Sequence, residues 1–193
     1  MDKSTEAILA FALGLCVLAA WYGEFRLRRK TGAAEGFWPG TTLAPAAAYF
    51  MAASGALLIT IAEAGVETRL DVSTTQSHLP LIALLGLFGS AVTEEAVFRG
   101  FAAPSHFSGR KLLCLILGGS AVFAALHIDF LDFNPHDEKQ VITLLFEFVT
   151  AVWLYFARFN PLNPTRSLLP CFMGHIVRNL AVFGIKWAQG FVN

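Results

Sequence analysis

The chain has 193 residues, 55% of them hydrophobic and only 15% charged, with 18 phenylalanines and a formal net charge of zero. Soluble domains carry about 25% charged residues, so an ordinary water-soluble fold is excluded. A neutral chain also offers nucleic acid no basic face.

Six apolar stretches approach the ~20 residues that a membrane-crossing helix needs. They run over residues 5–23, 42–62, 79–103, 112–130, 140–157 and 168–188. Strand-like alternation is absent and the runs are long. The expected fold is therefore all-α, a polytopic membrane bundle of about six transmembrane helices in a single domain, 1–193. The first stretch is not a cleavable signal: Met-Asp-Lys-Ser-Thr-Glu precedes it, and the basic cluster Arg26, Arg28, Arg29, Lys30 follows it. A lipid-attachment reading at Cys16 fails because Leu15 is not small, so this stretch is a retained anchor.

Residues 1–78 hold two spans without polar motifs. The third stretch, from Leu79 to Phe101, contains Thr93, Glu94, Glu95 and Arg99. A carboxylate at bilayer depth costs about 2.5–3.5 kcal/mol on insertion scales, so an ionisable cluster there marks a functional site. The fourth stretch carries His127, the fifth Glu147, and the sixth His175, Arg178 and Asn179. Cys16, Cys114 and Cys171 have no metal-ligand spacing and read as small buried apolar residues.

Basic residues set the topology. Arg26, Arg28, Arg29, Lys30, Arg110, Lys111, Arg158 and Arg166 fall in loops on one side. Lys3, Arg69, Lys139 and Lys186 fall on the other. Both termini are thus expected to be non-cytoplasmic. Trp21, Trp38 and Trp187, near span ends, read as interfacial anchors.

Glu95 and Arg99 are four residues apart and share a helix face. They read as an ion pair that neutralises a buried charge, which is compatible with a supporting role. Glu94 points about 100° away and has no local partner. An unpaired carboxylate in low dielectric suits general acid or base work. His127 alone reads equally as an interface histidine. His175 and Asn179 share one face of the sixth span. Two such donors can stabilise an oxyanion or simply bond to a neighbouring helix. Glu147 neutralises Arg178 or Arg99, and His78, His106 and His136 are exposed loop residues. With a rise of ~1.5 Å per residue, Glu94 lies about 14 Å, His127 about 24 Å and His175 about 10 Å from the cytoplasmic ends of their spans. Upright helices would leave His127 out of reach. Gly100 and Pro104 suggest a break near Phe101–Gly109 that would close the gap.

Glu94-Glu95-Ala-Val-Phe-Arg99 matches EExxxR, Phe123-Ala-Ala-Leu-His127 matches FxxxH, and His175-Ile-Val-Arg-Asn179 matches HxxxN. In that order on successive spans, they resemble the CAAX protease and bacteriocin-processing (Abi) family of intramembrane glutamic endopeptidases. The resemblance covers roughly residues 79–185 and marks 79–188 as the catalytic core. It implies that Glu94, with His127, activates water, that His175 and Asn179 form an oxyanion hole, and that Glu95 and Arg99 orient Glu94. It implies no cofactor and no metal. The substrate would be a peptide or protein with a membrane-associated segment. Six spans are fewer than the eight of the larger prenyl-protein proteases. The chain therefore resembles a compact prokaryotic-type member in the cytoplasmic membrane, which weighs against a prenylated CAAX substrate. Alternatives are a zinc-dependent intramembrane protease, although no HExxH is present, a proton relay, and a non-catalytic membrane immunity or binding protein.

Overall fold

The computed structural model describes residues 2–32, 36–72, 76–128 and 132–193. Among these residues six α-helices follow in chain order: α1 Lys3–Thr31, α2 Ala46–Arg69, α3 Ala83–Glu94, α4 Gly109–Ala125, α5 Glu138–Phe159 and α6 Leu169–Ala188. α3 continues without a break into a π-helical segment, Glu95–Phe101. Among the described residues the only β-type pairing is one bridge between Leu79 and Val192. The helical bundle read from the sequence is the fold found. Among the described residues three helices, α1, α2 and α5, are long and apolar enough to cross a bilayer by themselves. α3 reaches spanning length only with its π continuation.

The helix ends follow local chemistry. Asp2 caps α1 by accepting from the Ser4 and Thr5 amides at 2.9 Å each. Nothing in the sequence stops α1 until Gly32, whose φ of +65° lets it take the left-handed C-cap. α1 therefore runs past the expected end at 23, and Arg26, Arg28, Arg29 and Lys30 lie on its last turns rather than in a loop. Asp137 caps α5 in the same way, through Lys139 and Gln140. Residues 129 and 130, at the expected end of the fourth span, lie outside the described residues, as does Met1.

α1 packs on α3, α3 on α6, α6 on α2 and α5, and α4 on α5. Small residues allow these approaches, as is usual where helices meet in lipid. On α2, Ala48, Ala52, Ala56 and Thr60 recur every fourth residue and are fully buried. The Trp153 indole crosses that stripe to donate to the Ala52 carbonyl at 3.1 Å. On α3, Gly86 and Gly89 lie against Ala7 and Ala10 of α1, and a Cβ at Gly89 would overlap the Ala10 carbonyl. Gly89→Val is expected to lower stability by about 3 kcal/mol, the upper part of the usual overpacking range. Unfolding in detergent, followed by circular dichroism, measures it.

Two ends can be distinguished. At one, Lys3 reaches the His78 carbonyl at 2.8 Å and Leu79 donates to Phe191 at 2.8 Å. At the other, Arg28 bonds Thr41 at 2.7 Å, Arg158 bonds Ala103 at 2.7 Å, and Arg166 bonds Ser105 and Phe107. The eight basic residues grouped from the sequence gather at this second end.

Several expectations need correction. Arg158 is not a loop charge: it is fully buried in α5 and its guanidinium grips carbonyls where the π segment ends. Trp21 is not interfacial. It is 1% exposed, stacks on Phe25, meets Phe172 edge-on, and donates to the Pro39 carbonyl at 3.0 Å. Trp187, 71% exposed, keeps the outward position expected of an anchor. Of the cysteines only Cys171 is buried, while Cys16 and Cys114 lie on the outer surface. Their helices turn those faces away from the bundle, toward where lipid would lie.

Candidate active site

The site begins with the π segment. A wider i→i+5 turn, seen in the Ala102 amide bonding the Val97 carbonyl at 2.8 Å, breaks the α register just after Glu94. Such turns occur often at functional sites. Glu95 and Arg99 inside it are completely buried and paired at 3.0 Å. Arg99 also donates to the Ala151 carbonyl of α5 at 3.1 Å. Its guanidinium lies 4.5 Å from the Phe123 ring centroid and 4.9 Å from that of Tyr155, positions where a cation gains from the aromatic quadrupole. Tyr155 in turn donates from its hydroxyl to the Phe98 carbonyl at 3.0 Å. Tyr155→Phe should therefore cost about 1 kcal/mol, the net worth of one hydrogen bond, read as a shift in the thermal midpoint.

His175 of α6 completes the buried network. Its Nδ1 lies 2.8 Å from Glu95 Oε1. The carboxylate can only accept, so Nδ1 carries the proton and Nε2 is left facing outward. Nε2 meets Glu94 Oε2 at 3.8 Å. Glu95 is thus shared between Arg99 and His175. Glu94, with 29% of its side chain exposed, has its carboxylate beyond hydrogen-bond distance of that imidazole. Of the two adjacent carboxylates, Glu95 is buried and doubly paired, whereas Glu94 is partly exposed.

His127 lies just past the end of α4, exposed, with Nδ1 2.8 Å from the Phe123 carbonyl. That bond also assigns the proton to Nδ1 and leaves Nε2 uncommitted by it. The Phe123 ring contacts both imidazoles, its centroid 4.5 Å from that of His127 and 6.1 Å from that of His175. The depth conflict expected for upright helices does not arise. α4 starts beyond the non-helical stretch 102–108 and does not keep level with α3: Phe123, far along α4, lies 5.2 Å from Phe98 in the π segment. Asn179 shares the His175 face of α6, and one of its amide protons goes to the Leu87 carbonyl of α3 at 2.9 Å.

The family model for Rce1-like proteins, described as type II CAAX prenyl endopeptidase Rce1-like, matches residues 76–181. The chain belongs to this family. It is a hydrolase of the CAAX endopeptidase class, an integral membrane protease acting on a membrane-associated protein. No curated protein and no solved structure matches the chain. All three motifs lie inside the Rce1-like region, while α1 and α2 lie outside it.

The Rce1-like region also holds polar groups that sequence reasoning placed only in part. Arg178 pairs with Glu147 at 2.8 Å, one of the two partners expected for that glutamate. It also pairs with Glu63 of α2 at 3.2 Å and with the Thr150 hydroxyl at 3.1 Å. Glu63 went unnoticed because it follows the expected end of the second span. The signal is its position: a glutamate directly behind an apolar run lies close enough to membrane depth to need a partner. His78, His106 and His136 are exposed in connecting segments, as expected.

Proposed function

We propose that the chain is a glutamic-type intramembrane endopeptidase in which Glu94 is the general base. The observation that carries this reading is Glu94 held 3.8 Å from the Nε2 of His175, whose other nitrogen is anchored on the buried Glu95–Arg99 pair. A water seated on Glu94 loses a proton to the carboxylate as its oxygen adds to the scissile carbonyl carbon. The carbonyl oxygen becomes an oxyanion, and the Asn179 amide, with His175 when Nε2 is protonated, supplies donors of the kind that stabilise one. Collapse breaks the C–N bond, and the proton passes from Glu94 to the departing amine. His127, beside Phe123, assists in holding the water. Residues 79–188 form the catalytic core, and α1 and α2 support it.

Glu94→Gln tests this reading in proteoliposomes. Two internally quenched peptides serve as probes, one with an S-prenylated cysteine before the scissile bond and one with an unmodified apolar tail. Cleavage of the second alone supports a bacteriocin-type or sorting-tail substrate. Cleavage of the first alone supports the prenylated class that the family description names. Cleavage of neither by the unaltered protein would remove the endopeptidase reading.

The zinc alternative needs a ligand set. Among the described residues no three of His, Cys, Asp and Glu come together in a way that could hold a metal. Activity is accordingly expected to survive dialysis against a strong chelator, within about twofold. Loss on chelation with recovery on adding zinc would instead favour a metalloprotease.

We place the end bearing Arg28, Arg158 and Arg166 in the cytoplasm of a prokaryotic cell, with both termini on the opposite face. Cysteines introduced at either end and labelled with an impermeant thiol reagent on intact cells report the orientation.

A further inference from the structure

Arg178 is one residue from Asn179 and three from His175 on α6, yet on a different face. Its guanidinium is held by three groups from two other helices: Glu63 of α2 at 3.2 Å, Glu147 of α5 at 2.8 Å, and the Thr150 hydroxyl of α5, which accepts from Nε at 3.1 Å. The next residue of α5 is Ala151, whose carbonyl accepts from Arg99 at 3.1 Å. Two arginines from two separate elements are therefore referenced to consecutive residues of one helix. One belongs to the segment that carries Glu94 and Glu95, the other to the helix that carries His175 and Asn179.

We infer that Thr150 and Arg178 are positioning residues that set the rotation of α6 about its axis, so that His175 Nε2 meets Glu94 while Nδ1 stays on Glu95. The inference rests on the glutamic-protease reading above. Charge neutralisation alone does not require Thr150, because Glu63 and Glu147 already face the guanidinium. The hydroxyl adds direction instead. It fixes Nε, and with it the plane of the guanidinium, whereas the carboxylates both engage the same terminal nitrogen, Nη2. Thr150 is 1% exposed, so its hydroxyl has no route to bulk solvent as an alternative partner. A cavity of about 260 Å³ opens on the other side, lined by Glu63, Glu147, Arg178, Thr143 and Lys186. Water entering there can satisfy a weakened clamp, so its variants are expected to fold and insert while losing registry.

The test measures kcat and KM in proteoliposomes, with whichever of the two quenched peptides the unaltered protein cleaves. Thr150→Val keeps the side-chain shape and removes the hydroxyl. It is expected to lower kcat about tenfold, a modest share of the ~10²-fold that a 1 Å misplacement can cost, with KM changed less than twofold. Thr150→Ser restores the hydroxyl and should recover most of kcat. If Thr150→Val fails to fold, Glu147→Gln carries the same expectation. A folded Thr150→Val with unaltered kcat overturns the inference, and so does a Thr150→Ser as impaired as the valine variant. Glu94→Gln is run in parallel. If it stays active, the base assignment fails. If it is inactive while Thr150→Val is fully active, only the positioning role fails.

Discussion

Glu94→Gln should lower kcat by about 10²- to 10⁴-fold, the usual worth of a positioned general base, while the protein stays folded and inserted. The amide is close in shape to the carboxylate but cannot take a proton from water. The Glu94 carboxylate stands 3.8 Å from its imidazole neighbour and is partly exposed, so the exchange leaves no buried donor stranded. The neighbouring Glu95–Arg99 pair at 3.0 Å and the Glu95–His175 bond at 2.8 Å should be untouched. KM should change little, because the lost interaction belongs to the transition state. Initial rates across a range of peptide concentrations, with a circular dichroism spectrum and thermal midpoint for each variant, separate a chemical effect from a folding one. Cleavage by the glutamine variant at the unaltered rate would remove Glu94 as the base.

Arg99→Met should have the larger effect on stability. The guanidinium is fully buried, bonded to Glu95 and to the Ala151 carbonyl, and set against the Phe123 and Tyr155 rings. Methionine can fill much of the space but leaves Glu95 as a buried carboxylate with only His175 beside it. Removing one partner of a buried pair typically costs about 3–5 kcal/mol, mostly through the charge left behind. The double variant Glu95→Gln/Arg99→Met removes both charges and should regain a large part of that stability. It should remain inactive, because His175 Nδ1 loses its carboxylate anchor. A double variant as unstable as the single would mean that the arginine acts through its packing on the two rings rather than through charge.

The sequence made much of this arrangement legible, and the reasons are local. A glutamate and an arginine four apart in an apolar run leave few options besides pairing, and Glu95 and Arg99 pair. Charges isolated on different spans must find one another, which made Arg178 a natural partner for Glu147. What was not legible depends on geometry that apolar composition does not encode. A π turn differs from an α turn only in which carbonyl each amide chooses, so the Glu95–Phe101 segment carried no visible mark. The axial level of α4 is set by the connection 102–108 and by the contact of Phe123 with Phe98, not by hydrophobic period, so straight-rod depths misplaced His127. Trp21 illustrates a different limit: an indole near a span end reads as interfacial, but a carbonyl at Pro39 and two aromatic neighbours satisfy it indoors.

The π segment also ties the chemistry to residue number rather than to residue type. Val97 points outward from it and is nearly half exposed, so its side chain can be exchanged freely for another apolar one. Deleting that residue is another matter. The wide turn takes up one extra residue, so without it the backbone would close to ordinary helical pitch while the flanking turns kept nearly the same directions. Arg158 would still clasp the Gly100 and Ala103 carbonyls, so the change would fall inside the turn, on the reach of Arg99 to Glu95 across the deleted position.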